Sequence, residues 1–117
     1  MATTQPATGI STHLLDVTSG QPIADVRIEL FDLGTSPPTL IARAASNADG
    51  RNDSPMMDGD LARSGEFELR FMLGDHFREP DALFDVVPVR FTVTDPSRHY
   101  HVPLLCSPWY VSTYRGS

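Results

Sequence analysis

Apolar and polar residues alternate along most of the chain with a period of two, which is the pattern of half-buried β-strands. The clearest case is the stretch 65–73, where Phe67, Leu69 and Phe71 alternate with charged residues. The same pattern predicts about seven strands, over residues 10–17, 24–31, 39–45, 65–73, 89–94, 99–104 and 109–114. Turn signals separate them at intervals of roughly eight to twelve residues, and only one short helical turn is expected, near residues 59–63. The sequence therefore predicts an all-β fold, an antiparallel β-sandwich.

The C-terminal stretch 99–117 is the most informative part of this pattern. It begins as a strand in which Tyr100, Val102 and Leu104 face one way. A Ser-Pro pair at 107–108 then predicts a turn, and the aromatic and β-branched run 109–114 predicts the second strand of a hairpin. Because frayed chain ends are usually polar and simple, an end rich in aromatic residues indicates a role in packing or function.

Length and charge limit the number of domains and the kinds of partner that this chain is expected to have. A chain of 117 residues is expected to form one domain, here 10–117, preceded by a flexible tail over 1–9. A net charge of −6 argues against a nucleic-acid partner, and the lack of an apolar run of about eighteen residues argues against a membrane partner. A single cysteine, Cys106, and an N-terminus without a signal-peptide pattern favour a cytoplasmic location.

His13 is the first candidate for chemistry. It shares a predicted strand face with Leu15 and Val17. Desolvation on such a face would lower the pKa of the imidazole and keep it available as a base near neutral pH. A purely structural histidine is the alternative, and it is the commoner case for a single histidine in a strand.

Three further residues carry candidate chemistry. His99 and His101 lie two apart on one strand face, a spacing that can bind a metal, although no third ligand stands at a familiar spacing. Arg51 follows a predicted Asp-Gly turn and could grip a planar anion through paired N–H groups, or could simply be a solvated loop residue. His76 lies in a predicted loop. No nucleophile elbow, phosphate loop or dinucleotide fingerprint is present, so the pattern alone names no reaction.

Three separated motifs nevertheless resemble the transthyretin-like family, and within it the enzymatic branch of 5-hydroxyisourate hydrolases. They are STHLLD at 11–16 followed by TSGQP at 18–22, DGR at 49–51, and HYHVPLL at 99–105 with YRGS at 114–117. The motifs occur in the family's order and span nearly the whole chain after residue 9. The terminal YRGS is the most specific of them, since it separates the hydrolases from the hormone-carrying transthyretins.

The resemblance implies a fold and an assembly. The family fold is a transthyretin-like antiparallel sandwich of about eight strands in two sheets with one short helix, which agrees with the strand count above. Family members are homotetramers, dimers of dimers, whose active sites lie at the subunit interface. A functional C-terminus would fit such an arrangement, with Arg115 and Gly116 fixing the end of the chain.

The resemblance also implies a reaction and a set of site residues. The reaction is hydrolysis of 5-hydroxyisourate to 2-oxo-4-hydroxy-4-carboxy-5-ureidoimidazoline in urate degradation, by water attacking a ring amide. The implied catalytic residues are His13, Arg51, His101 and Ser117, and Tyr114 joins His13 and Arg51 in binding the substrate. No cofactor and no metal are implied. Two alternatives stay open: a non-catalytic carrier of small aromatic ligands, and a metal-binding protein that uses His99 and His101.

Overall fold

A computed structural model describes residues 8–117, so the first seven residues of the predicted tail lie outside the described residues. Gly9, the last residue of that predicted tail, begins the first strand. The strands are β1 Gly9–Ser11, β2 Leu14–Asp16, β3 Gln21–Pro22, β4 Arg27–Asp32, β5 Thr39–Ala45, β6 Gly65–Met72, β7 Val86–Val93, β8 His99–His101, β9 Leu104–Ser107 and β10 Tyr110–Thr113. Two single 3-10 turns, Gly59–Leu61 and Leu73–Asp75, are the helical elements of the described chain.

The strands form a two-layer sandwich, as predicted. One sheet has the order β5-β4-β6-β7 and is antiparallel throughout. The other has the order β10-β9-β2-β3 and is extended by the pair β1-β8. Within residues 8–117 no helix is long and apolar enough to cross a membrane.

The first strand of the second sheet differs from the prediction in two ways. The predicted strand over 10–17 is split into β1 and β2, and it runs parallel to β8 and β9. The ladder continues across the break, because the Val102 N–H donates to Ser11 O at 2.8 Å and the Leu104 N–H donates to His13 O at 2.9 Å. The expected purely antiparallel sheet is therefore a mixed one, since two distant segments of the chain meet here without a hairpin.

Two other predicted segments also differ: the strand predicted over 99–104 is split into β8 and β9, and Gln21–Pro22, where the sequence indicates a turn, forms β3. Two local turn predictions are confirmed. The hairpin of β9 and β10 turns at Pro108, as the Ser-Pro signal predicts. The helical turn expected near residues 59–63 is the 3-10 turn at Gly59–Leu61, so the short helix implied by the family resemblance is no more than 3-10 turns in the described chain. Strand β7 begins at Val86, three residues earlier than the alternation indicates.

The core lies between the two sheets and follows the period of two. Strand β6 contributes Phe67, Leu69 and Phe71, each with no exposed surface. Ile10 and Leu14 enter the core from the facing sheet. Because successive strand residues point to opposite faces, this packing fixes Ser11, His13 and the other odd-numbered residues of that segment on the outer face.

One residue predicted to face solvent is instead covered. Glu68 on β6 is only 4% exposed, since Arg70 Nε lies 2.6 Å from one of its carboxylate oxygens and Arg90 Nε lies 2.9 Å from the other. The Arg70 guanidinium also stacks on the Phe31 ring at 3.8 Å. Two cations thus satisfy both oxygens and lower the pKa of the carboxyl group.

The core predicts a large stability effect at Leu69. Replacing Leu69 by Ala leaves a cavity between the sheets and should lower the free energy of unfolding by about 2–5 kcal/mol. Leu83→Ala is the matched control, because Leu83 is 71% exposed and should change it by less than about 0.5 kcal/mol. Urea unfolding followed by circular dichroism measures both; equal effects would contradict the core described here.

Candidate active site

The segment β1–β2 is paired on both sides, and this pairing assembles the site. On one side Ser11 lies opposite His101 in the parallel ladder with β8. On the other side His13 forms an antiparallel bridge with Arg51, and Ile10 forms one with Met56. Beyond β8, His101 forms a further bridge with Gly116. Four stretches that are far apart in sequence therefore lie side by side, as a row of paired backbone segments around residues 51, 13, 101 and 116.

The period of two places the relevant side chains on a single face of this row. Paired residues on adjacent strands project to the same side, so Arg51 shares a face with His13, and His101 shares one with Ser11. Ser11 and His13 are two residues apart on one strand and share a face as well. The structure thus brings His13, Arg51 and His101 together on the outer face of the second sheet, opposite the core. Both imidazoles are half-buried, and Arg51 is exposed.

Local turn chemistry places Arg51. The carbonyl of Asn47 accepts from the Gly50 N–H at 2.8 Å, and its side-chain oxygen accepts from the Arg51 N–H at 3.1 Å. Gly50 has φ +75°, and a Cβ there would lie 2.5 Å from Leu14 O. Glycine is therefore required here both by this positive φ and because the turn packs directly on β2.

Asn52 fastens this turn to β1. Its side-chain oxygen accepts from the Thr12 N–H at 2.9 Å, and its amide nitrogen donates to Ile10 O at 3.2 Å and to Ser54 O at 2.8 Å. The residue after Arg51 thus binds the backbone at the break between β1 and β2. Sequence reasoning missed Asn52, whose position next to the DGR motif was its only signal.

The C-terminus is held against β8 by two contacts. The Gly116 N–H donates to His101 O at 2.8 Å, and the Arg115 guanidinium stacks on the Tyr100 ring at 4.5 Å. A Cβ on Gly116 would clash with Cδ2 of the His101 ring. Glycine at this position therefore lets the chain end lie directly against that imidazole.

Ser11 lies between two imidazoles and was also missed. Its hydroxyl oxygen is 2.8 Å from Nε2 of His99 and 2.8 Å from Nδ1 of His101. The two rings are 6.3 Å apart and inclined by 24°. Among residues 8–117 no group of three or more His, Cys, Asp or Glu side chains is arranged to hold a metal ion.

The electrostatics of the row favour neutral imidazoles. Burial, the Arg51 charge, and the neighbouring His99 and His13 lower the pKa of His101. Burial and the Arg51 charge also lower the pKa of His13, against an opposing effect of Asp49. The pKa of His99 is lowered by burial alone. The apolar strand face that was expected to desolvate His13 is only partly buried, since Val17 is 42% exposed.

The Arg51 guanidinium is available to a ligand. Within the described residues it forms no ion pair, whereas the guanidinium groups of Arg27, Arg43, Arg63, Arg70 and Arg90 each lie within 4.0 Å of a carboxylate. An unpaired guanidinium beside two neutral imidazoles can hold a planar, electron-rich molecule and stabilise negative charge on it.

The other predicted site residues lie around this row. Tyr114 is 60% exposed and lines a cavity of about 210 Å³ together with His101 and Arg115. Ser117 is exposed and directly follows the Gly116 bridge. His76 is elsewhere, with Nε2 at 3.4 Å from an Asp16 carboxylate oxygen.

The influence of Arg51 on the imidazoles gives a testable prediction. Arg51→Gln removes a positive charge that lowers the pKa of both His13 and His101, so both pKa values should rise. The pKa of His99 should stay nearly constant, because burial alone lowers it. Titration of the imidazole Cε1 protons by NMR measures all three pKa values. Unchanged pKa values for His13 and His101 would contradict their proximity to Arg51.

The family profile of the HIUase/Transthyretin family matches residues 10–116. A 5-hydroxyisourate hydrolase from Mesorhizobium japonicum is 45% identical, with all of both chains covered. One from Deinococcus radiodurans is 44% identical over 93% of this chain and 96% of that protein.

Solved structures show the same similarity. The 5-hydroxyisourate hydrolase of Klebsiella pneumoniae has a TM-score of 0.78 at 28% identity, covering 94% of this chain and 99% of that one. An (S)-allantoin synthase has a TM-score of 0.85 at 36% identity, and the match covers 95% of this chain but only 44% of the synthase. Sea bream transthyretin bound to thyroxine has a TM-score of 0.81 at 21% identity, over 92% of this chain and 93% of that one, which shows a shared fold. The chain belongs to the HIUase/transthyretin family.

Proposed function

We propose that this protein is a 5-hydroxyisourate hydrolase, an enzyme that opens a ring amide of its substrate with water. The observation that carries the proposal is the convergence of His13, Arg51 and His101 on one sheet face. It occurs in a chain whose named relatives are 5-hydroxyisourate hydrolases. The product would be 2-oxo-4-hydroxy-4-carboxy-5-ureidoimidazoline, and the reaction belongs to urate degradation.

The imidazoles supply the base. Addition of water to an amide carbonyl requires a group that accepts a proton from the attacking water. His13 and His101 fit this role because both pKa values are lowered, so both rings are unprotonated at neutral pH. The new bond forms between the water oxygen and the carbonyl carbon. The proton taken up by the imidazole then goes to the ring nitrogen as the C–N bond breaks.

Arg51 supplies the complementary charge. Negative charge develops on the carbonyl oxygen as water adds, and a fixed guanidinium stabilises that charge. The turn at Asn47–Gly50 and the Asn52 contacts hold the Arg51 backbone in place before the substrate arrives. Tyr114 and Ser117 would orient the substrate by hydrogen bonding, with Ser117 also near the reacting atoms through the Gly116 bridge.

We also propose a homotetramer, a dimer of dimers with sites at the subunit interface. Two observations support it. The predicted site is a half-exposed sheet face, which a second subunit would have to cover to exclude water. In addition, β7 and β10 end their sheets side by side around the 210 Å³ cavity, and unpaired strand edges favour pairing with another copy. A cytoplasmic location, with no cofactor or metal needed, completes the proposal.

A ligand carrier is the less favoured alternative. Its support is the shared fold with sea bream transthyretin. Hydrolysis is favoured because the unpaired Arg51 charge and the two neutral imidazoles form a reactive set that simple carriage of an aromatic ligand does not require.

The hydrolase proposal predicts the behaviour of two single variants. Freshly generated 5-hydroxyisourate should decay much faster with the protein than in buffer, as followed by absorbance. His13→Ala and Arg51→Ala should each lower kcat/KM by about 100- to 10,000-fold while circular dichroism stays unchanged, because each removes a group that acts in the transition state.

Arg43→Ala is the matched control for Arg51→Ala. Arg43 is an exposed arginine whose Nε lies 3.4 Å from Glu29, a surface pair worth about 0–1 kcal/mol, and its loss should leave turnover intact. Decay no faster than in buffer would refute the enzyme, and full activity in either active-site variant would remove that residue from the set.

The C-terminal residues 114–117 should affect activity much more than stability. Deleting residues 114–117 removes Tyr114, Ser117 and the Gly116 bridge but leaves the core intact. Turnover should therefore be abolished, while the melting temperature falls by only a few degrees, roughly the effect of 1 kcal/mol in a domain of this size. Deleting residues 1–4 is the control. Normal turnover in the chain that lacks residues 114–117 would show that the C-terminus has no part in the site.

A further inference from the structure

The hydroxyl of Ser11 joins two imidazoles that lie on neighbouring positions of one strand face. It is 2.8 Å from Nε2 of His99 and 2.8 Å from Nδ1 of His101. Register explains the contact, because Ser11 is directly paired with His101, and His99 is the next residue on the same face of β8. Nothing in the reaction described above uses Ser11 or His99.

We propose that Ser11 and His99 are positioning residues that fix the ring orientation and the tautomer of His101, so that its Nε2 faces the substrate with a free lone pair. This inference rests on the proposed function, since it assigns His101 the part of a base. Neither Ser11 nor His99 is placed against the substrate; both act through His101.

Proton counting shows why the hydroxyl constrains both rings. A serine hydroxyl has one proton to donate and can also accept hydrogen bonds. If it donates to one neutral imidazole, the other imidazole must donate its own N–H to the serine oxygen. The two rings are therefore locked in a concerted pair of tautomers, and the state of His99 decides the state of His101.

Two observations favour the arrangement in which Nδ1 of His101 carries the proton. The Arg51 charge acts on His101 but not on His99, and a nearby cation disfavours a proton on the ring edge of His101 that does not face Ser11. In addition, the Nδ1 edge faces the Ser11 hydroxyl, whereas the Cδ2 edge packs on Gly116. Ser11 then accepts from His101 and donates to Nε2 of His99.

This arrangement leaves one edge of the His101 ring for chemistry. Ser11 and Gly116 hold two edges, and within residues 8–117 no hydrogen-bond partner contacts Nε2 of His101. The charge of Arg51 and the imidazole of His13 both lower the pKa of this ring. An unprotonated Nε2 can accept a proton from water, whereas in the opposite tautomer Nε2 already carries a proton and cannot accept another.

The tautomers can be read directly in the wild-type protein. Two-bond 1H–15N correlation spectra at pH 7.5 distinguish protonated from unprotonated ring nitrogens. We expect Nδ1 of His101 to be protonated and Nε2 of both His101 and His99 to be unprotonated. A protonated Nε2 on His101 would overturn the inference, and this measurement does not depend on enzyme activity.

Variants test the same point through turnover. Ser11→Ala should lower kcat about 10- to 100-fold, the usual effect of removing a partner that orients a functional imidazole, with KM changed by less than about threefold. Ser11→Thr keeps the hydroxyl and should restore most of the loss. His99→Phe should resemble Ser11→Ala, whereas His99→Gln retains a hydrogen-bonding group for Ser11 and should restore turnover. Ser19→Ala, in an exposed turn, is the control.

Coupling between the two residues separates positioning from packing. Because both act through one hydroxyl, the double variant Ser11→Ala with His99→Phe should be no slower than Ser11→Ala alone. Additive losses, or wild-type kcat in Ser11→Ala, would overturn the inference. If Ser11→Ala does not fold, the His99→Phe and His99→Gln pair and the wild-type spectra still decide. A wild type that fails to accelerate substrate decay refutes the proposed function instead.

Discussion

The site depends on one backbone constraint, the pairing of residues 9–16 with other segments on both sides. On one edge these residues pair with β8 and β9, and on the other they bridge to residues 51 and 56. Backbone groups buried in a sheet must be satisfied, so the ladder cannot slip by one residue without turning its side chains over. The register that buries Ile10 and Leu14 therefore also fixes the positions of Ser11 and His13 on the outer face.

A second consequence concerns charge. The chain has a net charge of −6, yet the outer face of this row carries a guanidinium and three imidazoles. Partial burial and the Arg51 charge keep the imidazoles neutral, as the lowered pKa values of His13 and His101 show. Because an unprotonated imidazole is the form that accepts a proton, the same arginine that would bind the substrate also keeps the base ready. Binding and proton transfer are thus coupled through one side chain.

The sequence predicts the sandwich well because its signals are local. Alternation along β6 and the Ser-Pro turn before β10 depend only on neighbouring residues, and both are found in the structure. The break in the 10–17 strand was not predictable in this way. At the break, the Thr12 N–H donates to the Asn52 side chain, a contact between residues forty positions apart. The parallel pairing with β8 is likewise a property of the tertiary structure.

The same distinction between local signals and tertiary contacts applies to the candidate site residues. The histidines and Arg51 could be named from motifs, but their adjacency requires the β1–β8 ladder and the His13–Arg51 bridge, which together join three distant segments. Ser11 was visible only as part of the STHLLD motif, and its contact with two imidazoles depends on the parallel register of β1 and β8. The roles of Tyr114 and Ser117 stay predictions, because in one chain both are exposed beside the row rather than within it.

The pH dependence of kcat/KM for 5-hydroxyisourate tests the central claim most directly, since it reports the ionisation of groups in the free enzyme. The pKa values of His13 and His101 lie below the ordinary imidazole value of 6.5. We therefore predict that kcat/KM falls on acidification with a midpoint below pH 6.5, as the base becomes protonated. A profile that stays flat down to pH 5, or whose acidic midpoint lies above pH 6.5, would contradict a base formed by these neutral imidazoles.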